Sequence, residues 1–213
     1  YTKRMNRGLI LGPDNQKMSK SKGNVIDPDE YVAKLGADTV RMYLAFIGPY
    51  NEVGAYPWDV DGILGIRRFL ERVWDIYHEF FNNFQEARDR THFEDASIKL
   101  NQTIKKVTHD IEKMKFNTAI ASMMEYVNFI RGRKSDGNKG VFNIESAFAL
   151  LKILHPFAPH LTEELFSQLE EVEHGQVKNK SIILTEWPEY DEALTQESEI
   201  QLVIQVNGKV RDK

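Results

Sequence analysis

Lys17-Met18-Ser19-Lys20-Ser21, extended by Lys22-Gly23-Asn24, is the stretch on which the reading of this chain turns. Two lysines alternate with two hydroxyl side chains on a short segment that a glycine ends. Such a loop supplies cations and hydrogen-bond donors where charge develops on a polyphosphate. Lysine suits that work, because it carries a compact charge on a flexible stem. By chemistry alone the pattern is only moderately specific, since basic serine-rich loops are common and most are simply solvated. Just upstream, Gly8-Leu9-Ile10-Leu11 reads as a short strand and Pro13-Asp14-Asn15-Gln16 as the turn leaving it. The lysine loop therefore hangs from a strand, the kind of rigid support that a loop closing over a nucleotide requires.

The chain has 213 residues, 41% hydrophobic and 11% aromatic, enough for one or two modest cores. Charged residues make up 28%, which excludes a disordered tail, and no apolar run is long enough for a membrane span. Cysteine is absent, so disulfides and thiolate metal sites are excluded. The net charge of -4 argues against a nucleic-acid binder, but it averages over segregated segments. Residues 1–27 carry six Lys/Arg against two acids, a net of +4, and residues 97–140 carry nine against four, a net of +5. Residues 141–199 carry three lysines against twelve acids, a net of -9. Segregation of this kind suits a protein that meets a polyanion on one face, although a charge run is by itself most often a solvated surface.

Downstream of the loop the signals are helical. Asp27-Pro28-Asp29-Glu30 is a helix start with an acidic cap and proline at the first helical position, and Gly36 is the stop. Asp38 is expected to cap the next helix, which runs through Val40, Met42, Tyr43, Leu44 and Phe46. Trp58, in an irregular stretch, is expected to pack rather than stack on a base. Ile63, Ile66, Leu70, Val73, Trp74, Tyr77, Phe80, Phe81 and Phe84 recur at helical spacing and predict a long helix with an aromatic core face. A second helix carries Leu100, Ile104, Val107, Ile111 and Met114, with Lys99, Lys105, Lys106, Lys113 and Lys115 mostly off that stripe. Asn117 is read as the cap of a third, which ends in a basic, glycine-rich loop over residues 131–140. A fourth ends before Pro156. The two histidines of His155-Pro156-Phe157-Ala158-Pro159-His160 lack acidic or cysteine partners at ligand spacing, so a rigid helix corner is preferred to a metal site. Ile182-Ile183-Leu184 is a strand candidate, and Ile200, Leu202, Ile204 and Val206 before Asn207-Gly208 predict a hairpin. Its return strand stops at Lys213, as expected of a segment cut from a longer chain.

The literal string at residues 17–21 resembles the K-M-S-K-S signature of class I aminoacyl-tRNA synthetases, and Gly36-Ala37-Asp38-Thr39-Val40-Arg41 is similar to the G-A-D-x-x-R that follows it there. The strings Asp59-Val60-Asp61-Gly62-Ile63, Arg67-Arg68-Phe69-Leu70, Arg72-Val73-Trp74 and Gln205-Val206-Asn207-Gly208-Lys209-Val210-Arg211 resemble bacterial-type leucyl enzymes in particular. The resemblance implies a mainly α fold. An antiparallel helix bundle of the anticodon-binding type follows a short strand and the lysine loop and precedes a small β-rich segment. The implied divisions are 1–61, the end of the catalytic domain; 62–175, the bundle; and 176–213, a β-rich linker and the start of a C-terminal domain.

The resemblance also implies an enzyme that activates leucine with ATP, accompanied by Mg2+, and esterifies it to tRNA(Leu). Lys20, assisted by Lys17, would stabilise transition-state charge. Ser19 and Ser21 would hold the loop, and Met18 would anchor it by packing, so that residues 17–21 form the ATP-binding element. Arg41, Lys105, Lys106, Lys113, Lys115, Arg131, Arg133 and Lys134 are the candidate tRNA contacts, with a helix-capping pair the alternative for Arg41. No metal ligand set is expected. A cytoplasmic monomer, without membrane contact and inactive in isolation, completes the expectation. A methionyl, isoleucyl or valyl relative, a non-catalytic tRNA-binding module and a purely structural bundle remain the competing readings.

Overall fold

The computed structural model describes residues 8–50, 54–85, 94–135, 141–177, 181–195, 204–206 and 209–212, and it is mainly helical. In chain order these form β1 (Leu9–Leu11), α1 (Pro28–Leu35), α2 (Ala37–Phe46), β2 (Ala55–Pro57), α3 (Val60–Asn82), α4 (Glu94–Glu112), α5 (Phe116–Ser135), α6 (Ile144–Leu154), α7 (Pro159–His174), β3 (Ile204–Val206) and β4 (Lys209–Asp212). Single 3-10 turns lie at Lys20–Lys22, Ile182–Leu184 and Glu192–Thr195.

The helix starts follow from local chemistry. Asp27 accepts the Asp29 N–H at 3.0 Å, and Pro28 occupies a position whose N–H would find no helical partner. Asp59 caps α3 through the Asp61 N–H at 3.0 Å, and Asn143 caps α6 through the Ser146 N–H at 3.0 Å. Gly36 ends α1 at φ 87°, a conformation that costs glycine little, and its N–H reaches the Val32 carbonyl at 2.9 Å.

β1 pairs in parallel with β2, Leu9 opposite Ala55 and Leu11 opposite Pro57, and the Trp58 N–H donates to the Leu11 carbonyl at 2.9 Å. This pairing ties the base of the lysine loop to the start of α3. Trp58 is buried as expected, its ring 4.8 Å from that of Tyr31 and 5.0 Å from that of Tyr43. One continuous core joins Val40, Met42 and Tyr43 of α2 to the apolar faces of α3 through α7, including Ile63, Leu100, Met123, Leu150 and Leu165. Each such side chain contributes roughly 1.5–3 kcal/mol by leaving water, so α2 is fixed to the helices that follow.

Five local expectations are corrected. Ile182–Leu184 is a 3-10 turn, with Ile183 71% and Leu184 72% exposed; its three apolar residues do not alternate, and a strand would need a partner. α5 begins at Phe116, so Asn117 lies inside the helix rather than capping it. The same helix continues through Ser135, which makes Arg131 and Arg133 helical; residues 136–140 of the expected loop lie outside the described residues. Trp74 is 36% exposed and stacks on His78, centroids 4.2 Å apart, one turn further along α3, instead of joining the core. Asp38 caps a helix other than its own, as described below. β3 and β4 pair antiparallel, Val206 opposite Lys209; Ile200, Leu202, Asn207 and Gly208 lie outside the described residues. Among the described residues no helix is long and apolar enough to cross a membrane.

Candidate nucleotide loop and tRNA-facing surface

The lysine loop is a braced structure. After β1, the Asn15 N–H donates to the Gly12 carbonyl at 3.0 Å and the Gly12 N–H to the Gln16 carbonyl at 2.8 Å. Asn15 adopts φ 63°, which asparagine tolerates better than most side chains. Lys17 then bridges back to Leu11, and the Lys20–Lys22 turn closes at Gly23, φ 68°. Asn24 ties the two ends together. Its Oδ1 accepts the Ser19 N–H at 2.8 Å, while its Nδ2 donates to both Asp14 carboxylate oxygens, at 3.1 and 2.9 Å, and to the Lys17 carbonyl at 3.3 Å. Ser19 Oγ and Ser21 Oγ lie 2.8 Å apart. Met18 is half-buried against the hydrophobic core.

This bracing sorts the three lysines. The Lys22 ammonium donates to Gln16 Oε1 at 2.8 Å and is used within the loop. Those of Lys17 and Lys20 are exposed and have no hydrogen-bond or ion-pair partner among the described residues. The Gln16 N–H, with Asn24 and Lys22 adding to it, holds the Asp14 carboxyl below the usual carboxylate range. Asp14 therefore stays an acceptor throughout the neutral range. The loop thus presents two free cations and a hydroxyl pair on a scaffold whose own polar groups are satisfied. Sequence reading missed Asp14 and Asn24 as functional parts. The available signal was an Asp and an Asn flanking a turn, where short polar side chains bond nearby backbone.

The basic residues proposed for RNA divide in the same way. Lys105 donates to Glu192 and, at 3.1 Å, to Thr195 Oγ1, so it binds the Glu192–Thr195 turn onto α4. The Lys105 ammonium in turn holds the Glu192 carboxyl below its usual range. Lys106 pairs with Asp110, which is buried and also accepts from Thr118 Oγ1 at 2.6 Å. Arg133 pairs with Asp95, its guanidinium 5.7 Å from the Phe129 ring centre. Arg41 is exposed on α2, and its Nη2 donates to the Pro156 carbonyl at 3.4 Å, at the corner between α6 and α7. Lys113, Lys115 and Arg131 are exposed, without a side-chain partner among the described residues. The side chain of Lys134 lies outside the described residues. Beside Arg41, a cleft of about 490 Å³ is lined by Lys152, His155, Ile183 and Trp187. Among the described residues no cluster of His, Asp or Glu is placed to hold a metal ion.

At the same corner, the Asp38 carboxylate accepts the Leu161 N–H at 2.7 Å and lies 2.8 Å from His160 Nδ1. The Gly-Ala-Asp string thus joins the loop side of the chain to the helical side. Residues 95–213, more than half of the chain, match the family described as the anticodon-binding domain of tRNA ligase. The chain belongs to that family. Residues 1–54 match the tRNA synthetases class I (I, L, M and V). The leucine–tRNA ligase of Alkaliphilus oremlandii (strain OhILAs) is 42% identical over 99% of this chain and 24% of its own length. That of Herpetosiphon aurantiacus is 42% identical over all of this chain and 25% of its own length. A solved ternary complex, LeuRS–tRNA–LeuAMS of Agrobacterium radiobacter K84 agnB2, superposes with a TM-score of 0.74 at 32% identity, covering 97% of this chain and 26% of that one. The resemblance to leucyl-type tRNA ligases is thus borne out, and the chain spans about a quarter of the length of the relatives it matches.

Proposed function

We propose that this chain is the part of a leucine–tRNA ligase that carries the phosphate-facing lysine loop and the tRNA-binding helices. In the activation step a leucine carboxylate oxygen bonds to the α-phosphorus of ATP, the bond to the bridging oxygen breaks, and pyrophosphate leaves. Negative charge grows on the departing phosphates, and two mobile ammonium groups beside them stabilise that state more than the ground state. Lys20 is the first of the pair and Lys17 its helper. The hydroxyls of Ser19 and Ser21 hold the loop against the nucleotide. Magnesium would accompany the nucleotide's phosphates.

The observation that carries this reading is the sorting of the loop lysines, with Lys22 consumed internally and Lys17 and Lys20 left free on a braced frame. Residues 1–61 would close the catalytic domain. Residues 62–175 would form an antiparallel, anticodon-binding-type bundle, and residues 176–213 a β-rich link onward. The enzyme would act as a cytoplasmic monomer on tRNA(Leu), with Lys113, Lys115 and Arg131, and Arg41 at the α6–α7 corner, the cations offered to the RNA. The test is Lys20→Ala in the full-length enzyme. Leucyl-adenylate formation should slow by at least about a hundredfold with leucine affinity little changed, as for loss of one preorganised charge. An unchanged rate would remove the loop from the chemistry.

A further inference from the structure

We propose that Asn24 is a positioning residue for the activation step, latched to Asp14 so that the backbone carrying Lys17 and Lys20 is held in one geometry; this rests on the function proposed above. The Asn24 side chain bonds the loop at Asp14, Lys17 and Ser19. Through Oδ1 it fixes the Ser19 N–H, next in sequence to Lys20. Through Nδ2 it fixes the Lys17 carbonyl and the Asp14 carboxylate. Neither Asn24 nor Asp14 is needed for packing, as Asp14 is exposed and Asn24 only half-buried. Their hydrogen bonds run to the loop and to each other, so the loop is what they order.

Gly12 supports the same assignment independently. A Cβ placed there would lie 2.8 Å from the Asp14 carboxylate, 2.9 Å from the Asn24 carbonyl and 3.2 Å from Asn24 Nδ2. Two of those contacts are closer than real side chains make, so the strand end is kept bare where the latch passes over it. The latch does not use the free ammonium groups. It sets where their stems begin, and a stem displaced by an ångström puts the charge out of register with the phosphates.

The experiment uses the full-length enzyme and single-turnover leucyl-adenylate formation from leucine and ATP. Asn24→Ala should slow that step by about tenfold or more, with leucine affinity and the urea midpoint unchanged. Asn24→Asp sets two carboxylates against each other and should also be slow. Adding Asp14→Asn reverses the donor and acceptor roles across the latch, since the amide can then donate to the carboxylate while still accepting the Gln16 N–H. That double variant should recover part of the lost rate, which a general loosening of the loop would not do; the bond to the Lys17 carbonyl stays lost, because a carboxylate cannot donate. An Asn24→Ala enzyme at wild-type rate would overturn the proposal, as would a double variant no faster than Asn24→Asp. If Lys20→Ala remains slow in those cases, only the latch fails; if Lys20→Ala is also at wild-type rate, the function itself fails.

Discussion

The carboxylate of Asp38, in the first turn of α2, accepts the backbone N–H of Leu161 at 2.7 Å, in the first turn of α7. α7 starts after Ala158, which offers no side-chain cap, and Pro159 has no N–H to satisfy. A cap supplied from 123 residues away does the work of a local one and locks α2 to the α6–α7 corner. Asp38 is 8% exposed, so its loss leaves a donor poorly solvated. Asp38→Ala should lower unfolding free energy by about 1–2 kcal/mol, measured by urea denaturation, with Asp38→Asn costing less.

The loop lysines should separate in kinetics as they do in contacts. Lys20→Ala and Lys17→Ala should each slow adenylate formation in the full-length enzyme, Lys20→Ala the more. Lys22→Ala, which removes the bond to Gln16 and a weak pull on the Asp14 carboxylate, should cost less than about tenfold. A Lys22 variant as slow as the Lys20 variant would show that contacts in the free protein do not predict which cation meets the phosphates.

RNA binding should depend on the unpaired cations. Each phosphate neutralised releases counterions and steepens the salt dependence by roughly 0.7–0.9 in log–log slope. Lys113→Gln with Lys115→Gln should therefore flatten the tRNA salt slope by about 1.5. Lys105→Gln with Lys106→Gln should change it less, since both ammonium groups already face acids. The Lys105 change should instead free the Glu192–Thr195 turn, seen as faster amide exchange there. Filter binding at several salt concentrations would rank the two pairs.

Acidification should strike the helix corner through His155. Burial pushes its imidazole below the usual range, against the weaker opposite pull of Glu163 and Asp38, while Nδ1 lies 2.8 Å from Thr162 Oγ1. A folded value below the unfolded one means the unfolded chain takes the proton first. The contribution is complete above the ordinary histidine value near 6.5 and is lost as pH falls through the folded value. Between pH 7 and 5 the urea midpoint should fall less for His155→Gln than for the unmodified protein. Equal slopes would mean His155 does not contribute.

The local signals held where a residue and its partner are close in sequence. Asp27 caps α1 through Asp29, and the apolar period from Ile63 to Phe80, Trp74 excepted, produced the core face of α3. Expectation and outcome parted wherever a partner had to arrive from elsewhere. Asp38 looked like a cap for its own helix because an acid in a first turn usually is one. The lysines of α4 looked equally free because a helical pattern gives their face but not the acids brought opposite.

Sequence alone determined that the chain is mainly helical, that it presents a lysine loop at a strand end, and that it resembles leucyl-type ligases. Those properties reside in spacing and in short strings, where backbone geometry and side-chain chemistry act within a few residues. Tertiary structure alone decided which cations are free. Glu192 lies 87 residues from Lys105, and Asp95 lies 38 from Arg133. It also decided that Asn24 closes on Asp14 and that Asp38 caps α7. Charge pairing and hydrogen bonding act over a few ångströms, and only the folded backbone brings residues so distant in sequence within that reach.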